Sequence, residues 1–246
     1  MRYTALMRSR PPFPPRQRGA ALLLLVAVLG MAGAALLMSA YRPAGDDLRH
    51  EQRTQRQLAA AREALLGYAA QYGRLPRPAA SAIDGTESAQ PCERADSCSG
   101  FIPWVTLGIE GTDSWGKLLR YSVTPAFTAA PILPLTPGDR QVLGRNRRGE
   151  YIELAGRRPC ELYAQCPPAV IYSSGKNNLG TSSQGVAQAA GVGTDLDERS
   201  NDVAVSQFIS RARSDDPRSA GGEFDDLVVW LPIQQVNARL RATRAH

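Results

Sequence analysis

The N-terminal part of the chain contains a long apolar run. It extends from Ala20 to Met38, nineteen residues without a charge or a proline. At about 1.5 Å of rise per residue, a helix of this length measures roughly 29 Å, close to the ~30 Å hydrocarbon core of a bilayer. The run therefore predicts a helix that spans a membrane once.

A second helical pattern follows between Leu48 and Tyr72. Apolar residues recur there at steps of three and four, at Leu58, Ala61, Leu65, Tyr68 and Tyr72. This spacing is typical of an amphipathic helix that packs on one surface. The alternative is an independent coiled-coil stalk, although the pattern covers fewer heptads than such stalks usually have.

Local signals predict where this second helix begins and ends. Pro43 predicts a kink or break after the apolar run, because proline cannot donate the main-chain hydrogen bond of a helix. Asp46 and Asp47 are candidate N-caps for a new start. Gly73 followed by Pro76 predicts the helix end.

Short apolar segments in the rest of the chain predict strands. Turn-forming residues separate them, and several are rich in β-branched residues. These segments are Leu118–Val123, Gln141–Leu143, Tyr151–Leu154, Ala169–Tyr172 and Leu227–Leu231. The stretch Ser173–Ser200 has few large apolar residues and predicts a long surface loop. The expected fold is α+β, with a long N-terminal helix packed on a small antiparallel sheet with long loops.

The distribution of charge indicates a topology. The chain has 29 Lys+Arg and 23 Asp+Glu, a formal net charge of +6. Five arginines and no acidic residue precede the apolar run, namely Arg2, Arg8, Arg10, Arg16 and Arg18. Without residues 1–19 the balance is 24 basic against 23 acidic residues, or +1. The excess thus belongs to a leader that keeps the N-terminus cytoplasmic, and a nucleic-acid-binding face is not expected.

Three kinds of membrane segment compete at this position. A cleaved signal peptide would have a shorter apolar region and a small-x-small cleavage site, whereas Met38-Ser39-Ala40 lacks the small first residue. A plain signal anchor explains the hydrophobicity and the charge. It does not explain why Arg16-Gln17-Arg18-Gly19 directly precedes Ala20.

This boundary resembles the N-terminus of type IV pilins and of the pseudopilins of type II secretion systems. In that family a prepilin peptidase cuts after the glycine and methylates the new amine. The resemblance implies a cut between Gly19 and Ala20. It also implies four segments: a leader 1–19, a transmembrane helix 20–40, a periplasmic amphipathic helix 41–76 and a periplasmic α+β domain 77–246.

Other segments extend the resemblance along the chain. The segment LLGYAAQYGRLPRP, residues 65–78, is similar to the helix end and loop entry of pseudopilin-like proteins. Asp113-Ser114-Trp115-Gly116 is similar to the Asp-x-Trp-Gly element of major pseudopilins. Most pilins have a glutamate as fifth mature residue, where this chain has Leu24, and a first phenylalanine, where it has Ala20. This departure implies a minor or initiating subunit.

The resemblance implies a structural rather than an enzymatic function. The expected partners are the inner membrane, the prepilin peptidase and sister pilin or pseudopilin subunits, with secreted cargo as a further candidate. The alternative is a signal-anchored periplasmic binding or adhesion domain that does not polymerise. Only two histidines occur, so most His-dependent catalytic and metal sites are excluded. Ser173-Ser174-Gly175-Lys176 has the S-x-x-K spacing, but the accompanying motifs of penicillin-recognising enzymes are missing.

The four cysteines and the acidic segments are the remaining candidate chemistry. Cys92, Cys98, Cys160 and Cys166 form two close pairs, which in an exported chain predicts disulfides. Three pairings are possible, with Cys92–Cys98 and Cys160–Cys166 the natural one, and a four-cysteine zinc site is the alternative. Major pseudopilins bind calcium in a C-terminal loop, and the candidate ligands here are Asp195, Asp197, Asp202 and Asp225. A solvated acidic loop is the alternative.

Overall fold

The computed structural model describes residues 20–161, 163–177, 179–189 and 195–244, with the backbone alone for 20–21, 35–44 and 243–244. The leader with Gly19 lies outside this part. The chain is α+β and divides into two units between Leu48 and Arg49. In chain order the elements are α1 Ala20–Tyr72, β1 Ser99–Phe101, α2 Trp104–Leu107, β2 Arg120–Val123, a 3-10 turn Pro125–Phe127, β3 Gln141–Arg145, β4 Tyr151–Ala155, β5 Ala169–Ser173, α3 Leu196–Asp202, β6 Gln207–Ile209, β7 Leu227–Leu231 and α4 Ile233–Arg244.

Helix α1 is continuous over 53 residues. The predicted break at Pro43 and new start at Asp46 or Asp47 are therefore wrong. A proline removes one main-chain donor, and here the turns on both sides continue the helix. In the first unit, the large apolar side chains between Leu22 and Met31 are exposed to solvent. Among the described residues, no helix has a stretch that is long and apolar enough to cross a membrane.

The strands form two sheets rather than one. The first is antiparallel with the order β1-β2-β5-β7, and the second has the order β4-β3-β6. In the second sheet β3 pairs antiparallel with β4 and parallel with β6. All five predicted strands are present. The three-residue strands β1 and β6 were not predicted, and the parallel pair departs from the expected antiparallel sheet.

The first sheet separates two apolar cores. Ala169 and Ile171 of β5 face the larger core together with Leu231 of β7. Val170 and Tyr172 face the smaller core, which Phe208 of β6 completes. Because side chains alternate along a strand, β5 is buried on both faces.

The second half of α1 packs in the larger core. Leu58, Ala61 and Leu65 are fully buried and Tyr68 is 9% exposed, as the apolar spacing predicts. Tyr72 is 50% exposed, so its predicted place in the stripe is wrong. The helix ends where predicted, at Gly73, which adopts a positive φ of 68°.

Disulfides join Cys92 to Cys98 and Cys160 to Cys166. The disulfide prediction is confirmed in its local pairing. Since each sulfur is bonded to another sulfur, these cysteines do not form the alternative zinc site. The predicted loop 173–200 is wrong at both ends, because Ser173 belongs to β5 and helix α3 begins at Leu196.

A buried carboxylate cluster as candidate functional site

Three carboxylates meet where α3 approaches the start of β7. They belong to Glu198 of α3 and to Asp225 and Asp226, which immediately precede β7. One side-chain oxygen of each lies within 4.8 Å of the others. The residues are only 3%, 6% and 6% exposed. Burying acidic groups next to each other is costly unless protons or cations neutralise them, so the carboxylate cluster is the strongest chemical feature of the described chain.

Asp225 lies at the centre of the carboxylate cluster. Its Oδ2 accepts hydrogen bonds from the backbone amides of Lys176, at 3.1 Å, and Asn177, at 2.9 Å. Its own backbone amide donates to Oε1 of Glu198 at 2.5 Å. Its Oδ1 is buried and has no hydrogen-bond partner among the described residues. A proton or a cation at that oxygen would satisfy it.

The loop after β5 approaches Asp225 closely at Gly175. Gly175 has a φ of +57°, in the left-handed region that favours glycine. A Cβ atom placed there would lie 2.1 Å from Oδ1 of Asp225. Glycine thus permits both the backbone turn and the close approach of the loop to the carboxylate.

Asn201 joins Asp226 to the second sheet. Its Nδ2 donates to Oδ2 of Asp226 at 2.8 Å and to the carbonyl oxygen of Ile209 at 2.9 Å. The amide of Ile209 donates back to Oδ1 of Asn201 at 2.7 Å. The polar groups of this buried side chain are therefore satisfied, and they hold α3 against β6.

A buried lysine lies behind the same loop. Lys117 is 2% exposed, and its Nζ donates to the carbonyl oxygens of Ser174, at 3.2 Å, and Asn177. Carbonyl oxygens thus hold the ammonium group next to the loop that contacts Asp225. Lys117 by itself cannot balance three ionised carboxylates.

The pKa values reflect this crowding. Burial raises the pKa of Glu198 to about 8, and the neighbouring charge of Asp225 adds to the effect. Burial also raises the pKa of Asp225, and it raises that of Asp226 well above its usual range. For Lys117, burial lowers the pKa while the charge of Asp225 opposes the change. The carboxylate cluster therefore favours bound protons or a bound cation over three bare negative charges.

Of the four predicted calcium ligands, the carboxylate cluster contains Asp225 alone. Asp197 instead binds two arginines: Arg145 Nε and Nη2 approach its carboxylate at 2.8 and 2.7 Å, and Arg211 Nε at 2.7 Å. Burial would raise the pKa of Asp197, but the two arginines hold it below its usual value.

The other two predicted ligands also lie elsewhere. Asp195 pairs with Arg199 Nε at 2.9 Å, and the carbonyl oxygen of Asp202 accepts a hydrogen bond from Arg120. Glu198 and Asp226, the other two members of the carboxylate cluster, belong to the same two acidic segments but are not among the four predicted ligands. If residues 196–202 are taken as a helix, Glu198 and Asn201, three residues apart, lie on one face of it.

The Asp113–Gly116 turn connects the carboxylate-cluster region to α1. The hydroxyl of Ser114 donates to the carbonyl oxygen of His50 at 2.6 Å, and the ring of Trp115 stacks on that of His50 at 5.8 Å. Asp113 accepts a 2.6 Å hydrogen bond from the hydroxyl of Ser173. The serine of the S-x-x-K sequence is therefore bound to an aspartate in the fold.

No family model, curated protein or solved structure matches the chain. Its geometry defines an α+β domain built on the second half of a long N-terminal helix. A buried carboxylate cluster lies at the start of its last strand.

Proposed function

We propose that the chain is a structural, pseudopilin-like or minor-pilin-like subunit of a type II secretion or type IV pilus assembly. Prepilin peptidase removes residues 1–19 between Gly19 and Ala20 and methylates the new amine. The observation that supports this most is α1, a single helix of 53 residues whose second half forms part of the core of an α+β unit. A pilin-like subunit needs such a helix to join its domain to a filament core.

The side chains in the first part of α1 support the proposal that this part of the helix lies in an apolar environment. Eight large apolar side chains are 56–72% exposed there: Leu22, Leu23, Leu24, Leu25, Val26, Val28, Leu29 and Met31. An exposed apolar patch of this kind marks a contact with lipid or with other proteins. In the proposal the helix crosses the inner membrane once before assembly and packs against sister subunits afterwards.

The charge distribution and the disulfides support the topology. The five arginines of the leader favour a cytoplasmic N-terminus. Two disulfides fit an oxidising compartment, which supports a periplasmic location for the domain after the helix. There it contacts sister subunits or secreted cargo, and no nucleic acid is involved.

The residue Leu24 favours a minor, initiating subunit. A repeating pilin uses a glutamate at this position to pair with the N-terminal amine of a neighbour, and an unpaired buried charge is costly. A subunit with leucine there has no such partner to offer. It fits the filament tip, where no further subunit lies above it.

The carboxylate cluster favours calcium as a bound ion. Glu198, Asp225 and Asp226 would hold it, with Oδ1 of Asp225, which has no hydrogen-bond partner in the described part of the chain, as a further ligand atom. Calcium prefers six to eight oxygen ligands, and carboxylates and carbonyl oxygens are the usual ones. When bound, the ion would neutralise the buried charge and hold α3 and the 173–177 loop against the start of β7.

The deciding experiment is N-terminal sequencing of the full-length protein after co-expression with an active prepilin peptidase. The mature chain should begin at Ala20 with a methylated amine, and Gly19→Val should block the cut. Gly30→Val is the matched control, because no atom lies within 4 Å of a Cβ placed there. An uncut Met1 terminus in the wild type would contradict the proposal and favour the signal-anchored domain.

A further inference from the structure

Strand β4 forms an outer edge of the second sheet. It pairs with β3 on one side, and no strand of the described chain pairs with its other side. Tyr151, Ile152 and Leu154 are 51%, 41% and 43% exposed. Natural proteins usually protect sheet edges with charges, prolines or covering segments, and an exposed apolar edge can add another strand. β4 itself contains a single charged residue, Glu153.

A groove runs beside this edge. It has a volume of about 410 Å³ and is lined by the end of β4 and the two residues after it, from Glu153 to Arg157. Tyr163, Trp230 and Pro232 also line it. Tyr163 is 89% exposed, and Trp230 belongs to β7, the outer strand of the other sheet. The groove thus offers aromatic surface beside the end of β4.

The charges around β4 select the partner. The exposed pair Arg147 and Arg148 precedes the strand, and the exposed pair Arg157 and Arg158 follows it. Each pair outnumbers the one acidic residue next to it, Glu150 and Glu153, the second of which pairs with Arg157 at 3.1 Å. A second copy of β4, added antiparallel, would place one arginine pair near the other, and like charges opposite each other are destabilising. A strand with carboxylates at both ends would meet opposite charges instead. The arginines therefore disfavour self-association through β4.

We propose that the β4 edge and its groove bind an extended segment of a partner protein as an added antiparallel strand. The segment is apolar at alternate positions in its centre and carries carboxylates at both ends. Main-chain hydrogen bonds provide the affinity in this mode, and the groove and the arginines provide the selectivity. The proposal does not depend on cleavage after Gly19 or on calcium, so its test is separate from theirs.

Binding of synthetic peptides to the full-length protein in detergent micelles tests this. The first probe has alternating valine and threonine in the centre and two aspartates at each end. The second replaces the aspartates with lysines, and the third places a proline at the central position. Fluorescence anisotropy should show at least about tenfold tighter binding of the acidic probe than of the lysine probe. The proline probe should bind weakly, because proline cannot donate to a strand.

Variants connect the binding to this surface. The double variant Arg147→Glu with Arg148→Glu should weaken binding of the acidic probe and strengthen binding of the lysine probe. The matched control, Arg53→Glu with Arg94→Glu, makes the same change of charge in α1 and in the loop before β1, where both side chains are exposed. The control variant should still bind the acidic probe more tightly than the lysine probe, as the wild type does. Hydrogen exchange should show new protection of the amides of residues 151–155 on addition of the acidic probe.

Three outcomes would overturn the proposal. They are equal binding of the acidic and lysine probes, binding without protection of β4, and no binding of the acidic probe at millimolar concentration. Sedimentation that shows dimers lost on Ile152→Lys would also overturn it, because the occupant would then be a second copy of the chain.

Discussion

The hydroxyl of Tyr68 donates a 2.8 Å hydrogen bond to the carboxylate of Glu87. Tyr68 lies in the last turns of α1, and Glu87 lies in the loop that follows. The same carboxylate accepts two hydrogen bonds from the Arg74 guanidinium, at 2.5 and 2.9 Å, and one from the amide of Arg77 at 2.8 Å. Glu87 thus fixes the chain after α1 to the helix end.

This network makes the stability of the fold depend on pH. Burial alone would raise the pKa of Glu87, but Arg74, the Arg77 amide and Tyr68 lower it from the ordinary 4.5 to about 2. A depressed pKa stabilises the fold above the unfolded value, and this contribution disappears as the pH falls through the folded value. The free energy of unfolding should therefore decrease between about pH 4.5 and pH 2 because of Glu87.

We expect Glu87→Gln to reduce the free energy of unfolding by about 1–3 kcal/mol at pH 7, because it leaves charged donors without their partner. Urea unfolding followed by tryptophan fluorescence at pH 7 and near pH 2 measures the effect. The difference from the wild type should shrink at low pH. Glu93→Gln, at an exposed position, is the control and should match the wild type. An equal loss at both pH values would refute the role of the carboxylate charge.

Local periodicity explains why much of the fold could be predicted. β5 is apolar from Ala169 to Tyr172 because these residues face two cores, and α1 repeats small and apolar residues every three or four positions. β1 and β6 are three residues long, too short for a pattern, and pairing alone defines them. The short helix α3 has few apolar residues, so its sequence resembles that of a loop.

The candidate site depends on contacts that the sequence does not encode locally. Asp197 and Glu198 are neighbours, but side chains one position apart in a helix point about 100° away from each other. Asp197 therefore meets Arg145 and Arg211, whereas Glu198 meets Asp225. The distant strands that deliver these partners decide which acidic residue is paired and which joins the carboxylate cluster.

Gly175→Ala should damage the carboxylate cluster more than an ordinary glycine substitution. The new Cβ would lie 2.1 Å from Oδ1 of Asp225, so the loop must move. Gly108→Ala is the control, since Gly108 has a similar φ of +65° but open space around it. Gly108→Ala should lower the free energy of unfolding by about 1 kcal/mol from backbone strain alone. Gly175→Ala should lower it clearly more. Equal losses in urea unfolding would show that the close approach to Asp225 is unimportant.

Calcium should stabilise the full-length protein. At a concentration of one hundred times the Kd, a ligand of the native state adds about 2.7 kcal/mol, or roughly 5–10 °C in the Tm of a unit of this size. Asp225→Asn and Glu198→Gln should remove the calcium-dependent shift. Asp215→Asn, with a side chain that is 73% exposed, should retain it. A wild-type Tm that does not change in millimolar calcium would exclude this ion at the carboxylate cluster.

The two disulfides allow a comparison at constant loop length. Both close a loop with a sequence separation of 6, so chain entropy predicts the same loss, about 2 kcal/mol, when either is removed. Cys92 and Cys98 are both buried in the larger core, at 6% and 0% exposed. Cys160 is only partly buried. The double variant Cys92→Ala with Cys98→Ala should therefore lose more stability than Cys160→Ala with Cys166→Ala, because it also removes packing in the core.

Urea unfolding of the two double variants measures this difference. Mass spectrometry tests whether both disulfides are present, because the mass of the unreduced wild type should then be four hydrogens below that of the reduced form. Loss of the Cys160–Cys166 bond should also weaken binding of the acidic probe, because Tyr163 lies inside that loop and lines the groove beside β4. Removing Cys92–Cys98 should leave the binding of folded protein unchanged. Equal peptide affinity in both variants would show that the loop does not shape the groove.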